Sequence, residues 1–437
     1  MPLVGRVLID SPLPQLDRLF DYAIPARLEA EAVPGVRVKV PLRTAGRVVE
    51  GYLVEVVDAT HAQATSKPLS ELDAVVSPVA VLTPELYALA RRAADRAAGS
   101  ASDILRLAIP KRMVRAEKAW LAAERDAEAS ATTPDPAAVD WARAVLAEFP
   151  GLDDAVAAGT RIAVDAPPRP ARDLPVGAWA ELLAAIAIDT LARGRSTLIV
   201  VPDQRDQDQV LAVLAARAPE EAVLRDDARR PNVVGNRSTV YAPARDVGAV
   251  LVWDDGDPLL SEPLSPGVHA RDAALVRQEL EGSALVFAGH TRTTDVERLV
   301  QLGWVRDVPA HRRQSPTVVL SATREGESRG QRVPSAAFAA AREALAHGPV
   351  LVQVSRPGYS PVLVCAQCRT PARCPHCTGP LRARRQGAAH DCTWCGRTIS
   401  SWARPHCQST TLRMASSGSE RTADELGRAF PNTRVIL

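Results

Sequence analysis

Seven cysteines, all between Cys365 and Cys407, carry the most legible chemistry in the chain. They run Cys365-x2-Cys368-x5-Cys374-x2-Cys377, then fourteen residues, Cys392-x2-Cys395, eleven more, and Cys407. A Cys-x2-Cys pair lets two thiolates reach one tetrahedral ion from a single tight turn, so three pairs and a seventh cysteine make almost two complete zinc sites. Disulfides are the competing use. The start, MPLVGRVLIDSPLPQ, lacks a charged segment followed by a long apolar run, and the apolar stretch near Leu182–Ile188 is broken by Asp189 and Arg193. With no secretory signal and no membrane span, the expected location is the cytoplasm, where thiols stay reduced and clustered pairs hold metal.

Composition adds little about function. A net charge of +2 does not announce nucleic-acid binding. Only four of the 53 basic residues are lysine (Lys39, Lys67, Lys111 and Lys118), a bias that codon use in a GC-rich genome explains without any function.

The elements that must position the cysteines fall into an α/β multidomain chain. Residues 3–9 and 36–57 alternate apolar and polar, with Pro34-Gly35 as a turn, and predict a small β domain over 1–79. Pro84 to Pro110 has helical spacing, broken at Gly99-Ser100; with its basic end, 80–116 is the size of a winged helix or forms a helical linker. Residues 117–175, rich in Ala, Pro, Asp and Arg with weak periodicity, read as a linker or loosely packed extension. From 176 to 330, helices 178–193, 206 onward and 271–281 alternate with strands 196–201, 248–253, 284–288 and 317–321. Helix 335–347 and strand 350–355 continue the pattern over 331–361. Short apolar strands between helices imply a parallel sheet covered on both faces. The cysteine module spans 362–413, and 414–437 ends in a strand-like Thr433–Leu437 whose sheet is incomplete, the mark of a truncated product or fragment.

These residues resemble the PriA-type replication restart proteins, also called primosomal protein N′. The likeness is ordered from end to end. It runs through Pro12-Leu13-Pro14, Phe20-Asp21-Tyr22, Pro34 to Pro41, Gly235-Asn236-Arg237-Ser238, His269-Ala270-Arg271-Asp272, Ser355 to Val362, the cysteines, and Glu420-Arg421-Thr422. The resemblance implies an N-terminal domain that captures a nascent 3′ end, a winged helix, two RecA-like lobes, and a zinc-ribbon-like double zinc module in a second lobe that continues beyond this chain. It implies recognition of abandoned forks, reloading of the replicative helicase, and partners that include single-stranded DNA-binding protein and helicase-loading proteins. Phe20, Asp21 and Tyr22 match the motif that meets the terminal nucleotide, the aromatic to stack on a base and the carboxylate to accept from a 3′-hydroxyl. Arg43 and Asp73 depart from the pattern of some members around that pocket. In the family the pairs are nested, so Cys374, Cys377, Cys392 and Cys395 form one site. The other keeps Cys365, Cys368 and Cys407, with Arg404 in the missing ligand's place; His406 is the alternative fourth ligand, and weak or absent zinc there is the expectation. Arg382, Arg384 and Arg385, between the inner pairs, form either a phosphate contact or a solvated loop.

Typical members are ATP-driven 3′→5′ helicases, and here the departures accumulate, resembling the actinobacterial lineage with degraded helicase motifs. No G-x-x-x-x-G-K-[ST] exists, and no lysine follows Lys118. The loop position reads Val176-Gly177-Ala178-Trp179-Ala180-Glu181, where Trp179 crowds the phosphate space. Asp254-Asp255-Gly256-Asp257 replaces Asp-Glu-Glu-His, and Gly289-His290-Thr291-Arg292 replaces Ser-Ala-Thr; the Ser-Ala-Thr at 321–323 belongs to a later strand and is coincidental. ATP is therefore not an expected cofactor. Three readings stand: a fork-binding restart protein without catalysis, an active helicase, or a partly decayed product.

Overall fold

The computed structural model describes residues 3–43, 46–58, 60, 68–124, 133–218, 223–224, 232–311, 317–320, 333–354, 362–383, 389–414 and 419–436. They fall into two compact units, Met1–Pro316 and Thr317–Leu437. The Ser-Ala-Thr at 321–323, most of the Ser355–Val362 motif, and Arg384 and Arg385 lie outside the described residues.

The first unit opens with five antiparallel strands, β1 (Leu3–Ile9), β2 (Leu19–Ala23), β3 (Val36–Leu42), β4 (Arg47–Asp58) and β5 (Ala74–Ala80), in the order β2-β1-β4-β3-β5. The edge strand β2 is not left open. Ala23 donates to the Ser70 carbonyl and accepts from Leu72, which brings the segment leading into β5 alongside it. Val7, Ile9, Tyr22, Val36, Val38, Val40 and Leu53 fill one core beneath this sheet. Helices α1 (Pro84–Arg96) and α2 (Ala101–Ala108) follow, with the break at Gly99-Ser100, and then α3 (Val114–Glu124). Thr83 caps α1 by accepting from the Leu86 amide. Leu86, Leu89, Ile104 and Leu105 share a single core with the large sheet that comes next, so the helix pair is a wedge rather than a tether.

Within the expected linker, residues 133–175 are built into the lobe, and the sequence reading is corrected there. They supply α4 (Pro136–Leu146), α5 (Leu152–Ala157) and β6 (Arg161–Asp165). β6 has a neighbour on each side in a seven-stranded parallel sheet. After it come α6 (Ala178–Ala192), β7 (Ser196–Val200), α7 (Gln204–Arg217), β8 (Val223–Leu224), β9 (Asn232–Gly235), β10 (Val247–Trp253), α8 (Ala270–Glu281), β11 (Ala284–Gly289), α9 (Thr294–Gln301) and β12 (Arg306–Val308). The sheet order is β12-β6-β11-β10-β7-β9-β8. All residues of β7, β10 and β11 are buried, as expected of strands covered by helices on both faces. α6 is buried around its whole circumference and forms the spine of the lobe.

The second unit contains α10 (Ser335–Leu345), the strands β13 (Leu363–Cys365), β14 (Leu381–Ala383), β15 (His390–Cys392), β16 (Thr398–Ile399) and β17 (Leu412–Met414), and α11 (Ser419–Ala429). β13 pairs with β17, and β14-β15-β16 form a small antiparallel sheet. Phe338 of α10 meets Phe430 just past α11, with ring centroids 6.0 Å apart. The strands expected at 317–321 and 350–355 do not form where residues 317–320 and 350–354 are described. Val318, Val319, Leu320 and Leu351 are exposed.

Candidate functional site

Three places were singled out by the sequence, and each is built differently. The first is the cleft at the carboxyl ends of β6, β11 and β10, where parallel α/β sheets place ligands. The segment 166–177 runs from β6 to the amino end of α6, the path a phosphate-binding loop would take. Two amides at its junction with α6 are already occupied. Gly177 donates to Gln209 Oε1 at 2.9 Å, and Ala178 donates to the Arg169 carbonyl at 2.9 Å. Two of the amides that could make this helix start an anion site are thus bonded within the protein. Trp179, in the first turn of α6, stacks face to face on Trp253 at the end of β10, with centroids 4.2 Å apart and planes 11° apart. His290, just past β11, sets its edge against Trp253 at 5.1 Å and donates from Nδ1 to the Ala166 carbonyl at 3.1 Å. Both tryptophans are only 5% exposed, so the stack closes the floor of the cleft with dry aromatic surface.

The buried carboxylate beside it is committed as well. Asp255 is buried and accepts from Arg271 at 3.1 Å and from Thr293 Oγ1 at 2.8 Å. Asp254 takes a left-handed backbone (φ 48°), and burial followed by the charges of Asp257 and Asp255 raises its pKa. Asp206, at the start of α7, is pushed up to about 6 by burial first and then by Asp203, Asp254 and Asp257. Its folded value therefore lies above its ordinary one of 3.8, and the stability it contributes is complete below that value and lost as pH rises through about 6. The variant Asp206→Asn should melt above wild type near pH 7.5, with the gap closing as pH falls toward about 4, in thermal melts across that range.

The second place is β2. Strand alternation sends Phe20 and Tyr22 to one face and Asp21 to the other. Tyr22 is a core residue: it is buried, its hydroxyl donates to the Pro41 carbonyl at 3.2 Å, and burial raises its pKa. Phe20 packs half-buried on the same core, with the Arg18 guanidinium 4.6 Å above its ring. Asp21 lies opposite Arg6 in the register and pairs with it at 3.8 Å, while Arg6 also reaches Glu55 at 2.9 Å. The three motif residues thus do not converge on one point. Arg43 closes the same end of the domain, donating to Ser70 Oγ at 2.6 Å and the Pro68 carbonyl at 3.0 Å. It fixes the segment that covers the edge of β2.

The third place is the cysteine module. Cys374, Cys377, Cys392 and Cys395 bring their sulfurs within 4.8 Å of one another, and so do Cys365, Cys368 and Cys407. The nested pairing is as the family resemblance implied. Sulfurs of a tetrahedral zinc–thiolate site lie about 3.8 Å apart, from a Zn–S bond of about 2.3 Å. Here Cys377 and Cys392 are 3.3 Å apart, Cys374 and Cys395 3.9 Å, and Cys365 and Cys407 3.6 Å. The four-thiolate set fits a structural metal; the three-thiolate set is one donor short, and His406 does not join it.

The backbone is not what the outer site lacks. Each of the four turns repeats one pattern, in which its first residue accepts from the amide four residues on and donates to the carbonyl five residues on. Cys365 does so with Arg369 and Thr370, Cys374 with Thr378 and Gly379, and Cys392 with Gly396 and Arg397. Arg404 does the same with Gln408 and Ser409. The fourth residue on is left-handed every time, at φ 58°, 59°, 71° and 58° for Arg369, Thr378, Gly396 and Gln408. The fourth knuckle is complete in its main chain and lacks only a ligand, because a guanidinium has no lone pair to give.

Sequence reasoning missed Trp253, Gln209 and Thr293 as occupants of the cleft. Trp253 was legible only as the apolar end of a strand; a tryptophan where an acidic motif begins, paired with one where a phosphate loop ends, was the available signal.

A domain that closes its own sheet edge, a parallel α/β lobe and a four-knuckle cysteine module define a multidomain DNA-binding protein, for residues 6–110 match the family model of the 3′DNA-binding domain (3'BD). That match covers β2 through α2, so the helix pair belongs with the β domain. Across 97% of its length the chain is 40% identical to a "Probable replication restart protein PriA" of Mycobacterium tuberculosis, of which it covers 67%. It is 38% identical to the Mycobacterium leprae counterpart, covering 97% of this chain and 68% of that one. A "Replication restart protein PriA" of Bacillus subtilis is 26% identical over 56% of this chain and 34% of its own length. The chain belongs to the PriA family of replication restart proteins. It spans about two thirds of the mycobacterial relatives, and no helix among its described residues is long and apolar enough to cross a membrane.

Proposed function

We propose that this chain recognises abandoned replication forks and supports primosome assembly and reloading of the replicative helicase, without ATP-driven unwinding of its own. The Trp179–Trp253 stack carries this reading. It fills the space that phosphates need, in a cleft where Gln209 and Arg169 take two amides at the helix start and Arg271 and Thr293 hold Asp255. Phosphoryl transfer depends almost wholly on positioned cations and carboxylates, and the buried carboxylate of this cleft, Asp255, is already held within the protein. The lobe then acts as a scaffold for the 3′-end-binding domain. In that domain Asp21 is the residue we assign to a 3′-hydroxyl, while Phe20 on the opposite face of β2 and Tyr22 in the core hold the strand that carries it. Zinc is the metal assigned to the cysteine module, and single-stranded DNA-binding protein and a helicase loader are the assigned protein partners.

The purified chain should bind a fork with a 3′-hydroxyl at its junction, followed by fluorescence anisotropy, while ATP turnover stays at background with or without that fork. Fork-stimulated hydrolysis that co-purifies with the chain and disappears in Asp255→Asn would sink the non-catalytic reading. Failure to bind the fork would favour a decayed product.

A further inference from the structure

The cysteine module has a charge and an aromatic side chain that its metal sites do not use. Residues 362–414 contain eight arginines and one acidic residue, Asp391, although the whole chain is nearly balanced. Asp391 is buried and accepts from Thr398 Oγ1 at 2.9 Å, so it presents no charge to solvent. Arg369, Arg373, Arg382, Arg397 and Arg413 are all exposed. Two thiolate–metal centres would not cancel this excess.

Trp394 stands in the third knuckle, between Cys392 and Cys395, and is 69% exposed. Single exposed apolar residues are ordinary on protein surfaces. The setting of this one is not. Its base is held: a Cβ built on Gly379 would lie 2.9 Å from both Cβ and Cγ of Trp394, so glycine at 379 allows the second knuckle to press against it. Its ring is free in solvent. Trp402, in the same module, shows the alternative fate, being buried with its indole N–H donated to the Arg373 carbonyl. Arg397 ends the turn that carries Trp394, and Arg382 lies on the strand hydrogen-bonded to β15, the strand that leads into that turn.

An exposed ring held at its base, in a module of exposed arginines with no exposed carboxylate, suits a base that lies between phosphates. We propose that the third knuckle is a single-stranded DNA contact in which Trp394 stacks on an unpaired base and Arg382 and Arg397 meet the flanking phosphates. Stacking is sequence-tolerant because every base has a π face, and a duplex offers no free face to it. This contact is separate from the 3′-end-binding domain and independent of whether ATP is hydrolysed.

Two variants that keep apolar bulk against Gly379 test it in the full chain, Trp394→Phe and Trp394→Leu, with zinc content measured in both. Binding of a labelled oligo(dT) strand should weaken about 5- to 150-fold in Trp394→Leu, the range for losing one stacked base, and stay near wild type in Trp394→Phe. Affinity for a blunt duplex should not change in either, and the salt slope on oligo(dT) should be the same in both because the phosphate contacts remain. Equal oligo(dT) affinity in wild type and Trp394→Leu overturns the proposal, as does an equal loss in both variants. Loss of binding to a helicase-loading protein with DNA affinity intact also overturns it and gives the face to a protein. A wild-type chain that binds oligo(dT) but not a 3′-hydroxyl fork would fault the fork reading and leave this contact standing.

Discussion

Replacing Cys392 with serine is expected to strip the module of its tight metal and unfold it, while Arg404→Cys is expected to add a second ion. The module's core is small: Leu363, Ala372, Leu381, Ala383, Ile399 and Trp402, completed by the buried cysteines themselves. Its strands are two or three residues long. So little apolar surface cannot offset chain entropy over some fifty residues, and the metal must supply the difference. Structural zinc contributes about 10–16 kcal/mol in metal-folded peptides, more than most whole domains possess. The outer site has three donors and an arginine, and its affinity should fall accordingly. After dialysis against a mild chelator, elemental analysis should give one zinc per wild-type chain, two for Arg404→Cys and none for Cys392→Ser. Protease resistance of residues 362–414 should follow the same order. A wild-type chain that keeps two ions under those conditions would show that the three-thiolate site finds a fourth donor. The fourth knuckle already has the backbone the other three use, so Arg404→Cys asks for no refolding.

The second large effect concerns a residue from the stretch that looked least structured. Phe149 is 2% exposed between α4 and α5, and it belongs to the core that α6, β6 and β11 also build. Truncation to alanine leaves a cavity where the wrap of α4 and α5 meets α6, and such losses cost about 3–5 kcal/mol. Phe149→Ala should lower the unfolding free energy of the first unit, measured by urea titration, by that amount and leave the metal content of the second unit unchanged. A loss under about 1 kcal/mol would mean that residues 136–157 pack as loosely as their composition suggests.

That contrast shows what the sequence made legible. β7, β10 and β11 were readable because buried parallel strands are apolar runs, and α7 and α8 lay between them at ordinary spacing. β6 has only Ile162, Ala163 and Val164 between Arg161 and Asp165, too short a run to stand out in an alanine- and proline-rich stretch. α4 is built largely of alanine, whose small side chain blurs a helical period. β2 was recognisable as a motif but not as a strand, so the opposite facings of Phe20 and Asp21 were hidden until its register with β1 was known. In the metal module the spacing located the missing ligand at Arg404, because ligand counting is a one-dimensional problem. The pattern could not show that the turn around Arg404 is intact. The cleft was half legible: Trp179 was visible as an obstruction, while its partner Trp253 comes from a strand more than seventy residues later and only the sheet order brings the two together.

The intact fourth knuckle also bears on how such a site is lost and regained. Its main-chain hydrogen bonds and the left-handed Gln408 are formed with Arg404 in place, so exchanging that residue for cysteine asks for no change of backbone. Cysteine and arginine codons differ by one pyrimidine transition, and the second knuckle, Cys374-Pro375-His376-Cys377, differs from Arg404-Pro405-His406-Cys407 at that one residue. Selection acting on this module therefore meets no conformational barrier in either direction. Whether a descendant binds one ion or two is decided by a single base, on a scaffold that holds its shape either way.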